Sequence, residues 1–224
     1  MDGSIKMINT DIFELKSQKV YRIIKTAIIK GIYGPGEKLS DYKIAKEMNV
    51  SKTPVRESLY RLISEGFIKN IPNQGIIVSD VSKKDLKDVY ELRILLEGYV
   101  SYNLAKKIKK NQIEELKNIV NSMQECISQK NINYEYFSIL DDKFHFYLIT
   151  LIDNYQLEKV YENLASIAFR FRLDSLKKGN RIKKSFREVL NILESIEKRD
   201  CEMSRKNAIL HIKNGLKNIL KVTS

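Results

Sequence analysis

The sequence predicts a mainly α-helical protein, in which an N-terminal winged helix-turn-helix precedes a C-terminal six-helix antiparallel bundle. Apolar residues recur at helical spacing along most of the 224 residues. Two short apolar runs around residues 68 and 76 flank a turn and are typical of a small hairpin. All three prolines lie before position 73, so nothing rigid interrupts the later helices. We place the boundary after residue 80, which gives domains of residues 1–80 and 81–224.

The first helix is expected to end at residues 31–36, which include three glycines and a proline. Its apolar residues predict one buried stripe, made of Val20, Ile23, Ile24, Ala27 and Ile28. A short helix from Asp41 to Met48 follows, and Asn49 forms the turn after it. Ser51 is expected to cap the next helix, because its side chain can accept a bond from the first turn. Gly66 closes that helix.

The third helix has the pattern of a recognition helix. Pro54 lies in its first turn, where the missing N–H costs nothing. The core-facing positions are Val55, Leu59, Leu62 and Ile63. They leave Lys52, Thr53 and Arg56 on the opposite face, near the helix N-terminus, which is the end that enters the major groove of DNA in helix-turn-helix proteins.

The segments PGEKLS and IAKEMNVSKTPVRESLYRLISEGFI, with the glycine of the hairpin turn, resemble the GntR family of bacterial transcription regulators. The resemblance implies that DNA is contacted by Ser51, Lys52, Thr53 and Arg56, and by the wing at Gln74 and Gly75. We expect Arg56 to read a base, since a guanidinium can grip guanine at two atoms, and Lys52 to bind phosphate. Tyr42 stands where some members carry an arginine. A winged helix can also be a protein-interaction module, which the length of this match disfavours.

Net charge supports DNA binding less than the motif does. The formal charge of +12 suits an anionic partner, but residues 1–80 hold 13 basic and 9 acidic side chains, so most of the excess lies in the other domain. The sequence has no apolar run long enough to span a membrane and no apolar leader, so we expect a soluble, cytoplasmic, nucleoid-associated bacterial protein without membrane contact. Cys126 and Cys201 lack metal or redox spacing and are expected to be reduced structural thiols, with a redox switch as the alternative.

From residue 82 onward the pattern is helical to the end. Six segments are predicted, divided by asparagine, glycine or charged breaks: Lys83 to Ile108, Asn111 to Gln129, Asn133 to Ile152, Tyr155 to Lys178, Ile182 to Lys198 and Cys201 to Leu220. Helices joined by such short breaks form an antiparallel bundle. The lysine-rich turn LKKGNRIKK between the fourth and fifth segments is expected to be solvated surface.

The third bundle helix carries a polar interruption in its inner face. Its apolar stripe is Phe137, Leu140, Phe144, Leu148 and Leu151. Asp141 falls on this stripe and His145 lies one turn further. A carboxylate that faces a core must be paired or coordinated, and an Asp and a His at i and i+4 can grip one metal ion. The other histidine, His211, lies in the last helix beside inward-facing residues. A metal-free, hydrogen-bonded Asp and His pair remains an open alternative.

The segments ELRILLEGYVSYNLA, LDDKFHFYLITLIDNYQLEKVYENL, EVLNILESIEKRD and AILHI resemble the FCD ligand-binding domain of the FadR branch of this family. With six predicted helices instead of seven, the domain resembles the VanR-like subgroup of this branch. The resemblance implies a divalent metal, Zn, Ni or Mn, held by Asp141, His145 and His211 beside a small organic acid. The family's fourth ligand falls on Val189, so that ligand is missing. Candidates for binding the carboxylate of the acid are Arg93, Arg170 and Arg172, although a salt bridge such as Arg93 with Glu97 is an equally open interpretation.

These patterns together predict an effector-responsive transcription regulator that is a repressor. We expect it to bind a palindromic double-stranded DNA operator as a homodimer, with an affinity controlled by a small carboxylate effector bound beside the metal. A metal-free regulator that senses an acyl or other apolar acid is the alternative, and Val189 supports it. A metal-dependent enzyme with a DNA-binding tether is disfavoured, because no general base or nucleophile set accompanies the three ligands, and we expect no catalytic residues.

Overall fold

The computed structural model describes residues 16–178 and 180–221, with the side chains at positions 170, 173 and 174 excepted. The chain divides into two compact units between Asp80 and Val81. Within the described ranges, no helix combines the length and the apolar character that crossing a membrane requires. The mainly helical fold predicted from the sequence is confirmed, with a winged helix-turn-helix followed by a six-helix bundle.

The first unit contains three helices and a two-stranded antiparallel sheet. Its elements are α1 (Lys16–Ile29), α2 (Asp41–Glu47), α3 (Lys52–Ser64), β1 (Ile68–Ile71) and β2 (Gly75–Val78). The strands pair in a register that sets Ile68 opposite Val78 and Ile71 opposite Gly75. Gly66 ends α3 at a φ of 79°, and Asn49 makes the turn between α2 and α3 at a φ of 51°. Both positions need the left-handed conformation that glycine and asparagine adopt most readily.

The core of the first unit lies between α1, α3 and the sheet, and one predicted member is missing from it. Val20, Ile24 and Ile28 are buried at i, i+4 spacing. Ile23, predicted to share this stripe, is 43% exposed. It lies about 100° around the helix from Ile24, which carries it off the narrow face that α3 covers.

The second unit is a bundle of six helices, each within two residues of its predicted bounds at either end. They are α4 (Lys83–Lys107), α5 (Lys110–Ser128), α6 (Tyr134–Thr150), α7 (Tyr155–Lys177), α8 (Arg181–Glu197) and α9 (Cys201–Leu220). Short polar side chains fix several N-termini: Ser82 and Asp85 form a capping box on α4, and Asn133, Asn154 and Asp200 each accept a backbone N–H at the start of their helices.

Helices α4 and α9 run antiparallel, and two glycines let them pack closely. A Cβ atom at Gly98 would lie 3.0 Å from Ile209 Cγ1, and one at Gly215 would lie 3.5 Å from the Tyr90 ring. The Ser204 hydroxyl donates to the Ser101 carbonyl between the same two helices at 3.1 Å. This close contact places His211 of α9 against the inner face of α4 and α6.

The turn between α7 and α8 is only partly solvated. The prediction that all of LKKGNRIKK is solvated surface is therefore wrong for three of its residues. Leu176, Arg181 and Ile182 are buried. The ends of α7 and α8 turn their inner faces into the bundle, and Arg181 is tolerated there because both its Nη groups bond the Glu188 carboxylate at 2.8 Å. Both cysteines are free, with Cys126 buried and Cys201 partly exposed.

Candidate functional site

The first unit presents the N-terminal end of α3 as an exposed polar face. Ser51, Lys52, Thr53 and Arg56 are all exposed. Ser51 occupies the predicted N-cap position, but its side chain makes no capping hydrogen bond in the described part of the chain. A hydroxyl at a helix N-terminus that is not engaged in capping is suited to a phosphate oxygen.

Arg56 is held by a residue from the neighbouring helix. Its Nε donates to Asp41 Oδ2 at 2.7 Å, and the Arg56 side chain remains 60% exposed. The hydrogen bond from Arg56 lowers the pKa of the Asp41 carboxyl below its ordinary value. Close by, Lys52 Nζ lies 5.2 Å from the centre of the Tyr42 ring. The role of Asp41 could not be predicted from the sequence, since a contact across the turn of a helix-turn-helix leaves no periodic signal.

The wing lies beside the same face of α3. Gln74 is exposed at the tip, and Gly75 has a φ of 86° with Lys38 Cε 3.3 Å from where a Cβ would be, so other residues are disfavoured at this position. A surface groove of about 380 Å³ runs between α3 and the wing, and its walls include Arg56, Tyr60 and Asn70. Tyr60 is 69% exposed on the polar face of α3, and its position there is visible in the helical spacing of the sequence.

In the second unit the three predicted metal ligands come together and are buried. His145 Nε2 lies 3.0 Å from His211 Nε2, and Asp141 Oδ1 lies 3.9 Å from each of these nitrogens. Asp141 Oδ1 has no hydrogen-bond partner among the described residues. Helix α6 supplies Asp141 and His145 one turn apart, and α9 supplies His211 from the opposite side.

Each histidine has a carboxylate close to its other ring nitrogen. His145 Nδ1 lies 2.6 Å from Glu97 Oε2 of α4, and His211 Nδ1 lies 3.0 Å from Glu188 Oε2 of α8. A carboxylate at Nδ1 favours the Nδ1–H tautomer, in which the Nε2 lone pair points away from that carboxylate. With both histidines in this tautomer, the two lone pairs would point into the same small space. From the sequence, Glu97 was predicted only as a partner of Arg93, and Glu188 was not predicted to take part in the site.

The charges around the cluster are compensated by neighbours, so the acids stay ionised. Burial alone would raise the pKa of Asp141, but Arg172 and then the two imidazoles hold it at about 2. Burial likewise opposes ionisation of Glu97, and Arg93 followed by His145 holds its pKa at about 2. Burial lowers the pKa of His211, although the hydrogen bond with Glu188 opposes this shift. The lowered pKa favours the neutral ring that a metal ligand needs.

Two of the three predicted effector arginines line a cavity at this cluster. Arg93 is 2% exposed; its Nε donates to Glu97 Oε1 at 2.8 Å, which confirms the salt bridge that the sequence left open. Arg172 Nη1 lies 3.0 Å from Asp141 Oδ2 and also contacts Asp142, while Arg172 Nη2 has no partner among the described residues. The side chain of Arg170, the third candidate, lies outside the described residues.

The cavity has free space of about 20 Å³, enough for roughly one water molecule. Helices α4, α6, α7, α8 and α9 all contribute to its lining, which includes Tyr90, Arg93, Asp141, Arg172, Arg181 and His211. Arg181 is therefore a third described arginine at this cavity, and it was missed because its turn was interpreted as surface.

The three ligands fit a metal ion, and the expected fourth position does not contribute. Two ligand atoms that each lie about 2.1 Å from one ion can be up to about 4.2 Å apart, so separations of 3.0 and 3.9 Å are compatible with a shared ion. Val189 is fully buried in the apolar core and has no donor atom. The donor set is thus two imidazole nitrogens and one carboxylate oxygen, which suits a divalent transition metal.

Comparison with known proteins assigns both units. Residues 16–78 match the family of bacterial regulatory proteins named gntR, and residues 88–214 match the FCD domain. The HTH-type transcriptional repressor RspR of Escherichia coli K12 is 26% identical over 206 residues, which cover 92% of this chain and 90% of RspR. The gluconate operon transcriptional repressor of Bacillus subtilis is 30% identical over 174 residues, covering 78% of this chain and 70% of that protein.

A solved structure shows the same fold. Escherichia coli McbR/YncC superimposes with a TM-score of 0.77 at 18% identity, covering 95% of this chain and 100% of that one. RspR and the gluconate operon repressor are transcription regulators and not enzymes. The chain belongs to the GntR family of bacterial transcription regulators, with an FCD domain as its C-terminal part.

Proposed function

We propose that this protein is a repressor that binds a palindromic operator as a homodimer and is controlled by a small organic acid bound beside a divalent metal. The two repressors that resemble it along most of their length support the direction of regulation. One winged helix covers only a short half-site, so a twofold pair is needed for useful specificity. Ser51, Lys52, Thr53, Arg56 and the wing at Gln74 and Gly75 make the DNA contacts.

The observation that carries the metal proposal is the arrangement of the two imidazoles. A carboxylate lies close to each Nδ1 atom and favours the Nδ1–H tautomer, in which the two Nε2 lone pairs would face each other 3.0 Å apart. Two lone pairs repel at this distance unless a cation lies between them. The unpartnered Asp141 Oδ1 is the third atom directed at this cation. A bound metal would supply a positive charge that attracts an acid.

The acid is expected to meet the arginines of the same cavity. Arg172 Nη2 is a buried donor without a partner in the described part of the chain, and a buried donor of this kind gains most from an anionic acceptor. Arg93 and Arg181 are paired with Glu97 and Glu188, so Arg172 Nη2 is the donor that we expect to bind the acid. An acid that binds here more tightly in one arrangement of the DNA-binding units than in the other would change operator affinity.

A metal-free sensor is the second candidate function. The distance between the two Nε2 atoms is compatible with this function too. A separation of 3.0 Å between two ring nitrogens also suits an N–H···N hydrogen bond, in which one imidazole carries an extra proton. The loss of a ligand at Val189 points the same way. In that case the cavity would bind an acyl or other apolar acid without help from a metal.

Elemental analysis of chelator-free protein distinguishes the two candidates. We expect about one transition metal per chain in the wild type after incubation with Zn, Ni or Mn and gel filtration, and none in an Asp141→Ala, His145→Ala double variant. Glu188→Gln should weaken metal affinity by roughly 10- to 100-fold, because it removes the partner that orients His211. The control is Glu162→Ala, an exposed acid on α7, which should bind metal as the wild type does. A metal-free wild type under these conditions would favour the second candidate.

The contact between Asp41 and Arg56 predicts a positioning role for Asp41 in DNA binding. An exposed ion pair adds little to stability, so Asp41→Asn should leave the unfolding transition almost unchanged. We expect it to weaken binding to an operator duplex selected by the wild type from a random library by roughly 2- to 10-fold, the range expected for a coupled pair. In an Arg56→Ala background the same change should have no further effect, whereas additive losses would show that Asp41 acts independently of Arg56. Asp80→Asn, another exposed aspartate of the same unit, is the matched control.

A further inference from the structure

The excess positive charge of the second unit is concentrated in two segments. Residues 175–187 and 203–221 together contain 11 lysines and arginines and no aspartate or glutamate. The rest of residues 81–224 contains 16 basic and 19 acidic side chains. The excess is therefore a local feature of the end of α7, the start of α8 and most of α9, whereas a bias in composition would spread it over the whole unit.

The fold brings these two segments side by side. The Glu188 carboxylate of α8 contacts His211 Nδ1 at 3.0 Å and Asn214 Nδ2 at 2.8 Å. Near the end of α7, the Ser175 carbonyl accepts a hydrogen bond from Asn218 Nδ2 at 3.2 Å. These contacts place the first half of α8 beside the second half of α9, which runs antiparallel to it. We call four exposed cations of this region the α8/α9 basic face, and they are Lys184, Arg187, Lys213 and Lys217.

The cations of the α8/α9 basic face lie close together without anionic partners. In the register that the Glu188 contacts set, Lys184 lies level with Lys217. Arg187 lies level with Lys213 in the same way. All four side chains are exposed, and none forms an ion pair with a residue that the structure describes. Because neighbouring like charges repel one another, an anionic molecule bound here would relieve that repulsion.

The composition of this face favours the phosphate backbone of double-stranded DNA over other polyanions. Lysine binds a phosphate as a point charge and needs no contact with a base. Single-stranded nucleic acids are held largely by stacking on aromatic rings, and a membrane surface needs a row of apolar groups beside the cations. Among the described residues of α8 and α9, the large apolar side chains that are exposed are Met203 and Leu210, and neither is aromatic.

We propose that the α8/α9 basic face is a second DNA-binding surface, which contacts phosphates whatever the base sequence. It goes beyond the proposed function, in which the DNA contacts come from α3 and the wing. Lys213 and Lys217 are about 6 Å apart along α9, at 1.5 Å per residue. A B-form duplex presents one phosphate charge per about 1.7 Å of its axis, so every cation of the face can find a phosphate oxygen.

The salt dependence of binding to a duplex of scrambled sequence tests this surface. Fluorescence anisotropy of the full chain measures the affinity between about 50 and 200 mM salt. A basic-face variant carries four changes: Lys184→Gln, Arg187→Gln, Lys213→Gln and Lys217→Gln. It should bind roughly 10-fold more weakly, or worse, at the lowest salt. The slope of log affinity against log salt should become shallower by roughly 3 to 4, since each phosphate contact contributes about 0.9.

Two matched variants distinguish a local surface from a change in net charge. The first removes the same charge from exposed lysines at the junction of α4 and α5, which is followed by Glu114 and Glu115. Its four changes are Lys106→Gln, Lys107→Gln, Lys109→Gln and Lys110→Gln, and its slope should change by less than about one. The second retains the charge of the face through Lys184→Arg, Lys213→Arg and Lys217→Arg, and should bind as the wild type does. Circular dichroism shows whether each variant is folded.

The outcomes separate this surface from the proposed function. The basic-face changes should have the same effect in an Arg56→Ala background, because the surface acts independently of α3. Equal losses in the two glutamine variants, no loss in the basic-face variant, or a loss confined to binding of anionic phospholipid vesicles would overturn the inference. If the predicted loss occurs but the wild type selects no palindrome from a random library, the second surface stands and the proposed function fails.

Discussion

Arg93→Ala is expected to destabilise the second unit by about 3–5 kcal/mol, the usual cost of removing one partner of a buried ion pair. Arg93 is 2% exposed and its partner Glu97 is 3% exposed, so the alanine variant leaves a carboxylate in the bundle without its main counter-charge. The OH of Tyr161, which accepts from Arg93 Nη2 at 3.3 Å, loses its partner at the same time. His145 also depends on Glu97 for its orientation, so metal binding should weaken together with stability.

Urea denaturation followed by circular dichroism measures this loss. Arg61→Ala is the matched control, because Arg61 pairs with Glu65 but is 54% exposed, and loss of such an exposed pair costs about 0–1 kcal/mol. The double change Arg93→Met, Glu97→Gln should be less destabilising than Arg93→Ala, since it removes both charges. Equal effects of Arg93→Ala and Arg61→Ala would show that Arg93 carries no buried ion pair in solution.

Arg56→Ala is expected to remove most sequence-specific binding to the operator. A bidentate contact with guanine contributes about 1–3 kcal/mol of discrimination, which corresponds to roughly 5- to 150-fold in affinity. The loss should fall mainly on the specific duplex, because weak non-specific binding depends on phosphate contacts such as that expected of Lys52. The ratio of specific to non-specific affinity should therefore fall towards one.

Fluorescence anisotropy with two duplexes provides this ratio, one selected by the wild type and one with the same composition in scrambled order. Lys52→Ala is the informative comparison: it should weaken both duplexes by a similar factor and reduce the salt dependence of binding. Arg61→Ala removes an exposed arginine from the C-terminal end of α3. This variant should bind both duplexes as the wild type does. The assigned roles of Arg56 and Lys52 would be reversed if Lys52→Ala lost affinity only for the selected duplex and Arg56→Ala lost affinity equally for both duplexes.

The helices could be predicted because their cause is local. Apolar periodicity, the position of the three prolines and short capping side chains such as Ser82 and Asn133 are all readable along the chain. The polar interruption at Asp141 and His145 was likewise visible within a single helix. These features need no knowledge of how one helix lies against another.

The partners of the site could not be predicted because they depend on register between helices. Glu97 and Glu188 become ligand-orienting groups only when α4 and α8 are placed against α6 and α9, and nothing in their own segments distinguishes them from exposed acids. Arg181 was predicted to be exposed for a related reason. A basic turn normally faces solvent, and Arg181 can be buried here because the carboxylate of Glu188 compensates its charge. The exposed Ile23 shows the opposite error, in which an apolar residue was assumed to be covered.

The size of the cavity has a consequence for how quickly the protein can respond. A space that holds about one water does not accept an organic acid until surrounding side chains or helix ends move apart. Entry of the proposed acid would then be gated. At high acid concentration the observed association rate would reach a plateau set by opening of the bundle, and the apparent affinity would be reduced in proportion to the fraction of molecules that are open. In the proposed sensor, the response to the acid would therefore be delayed by the time that the bundle takes to open.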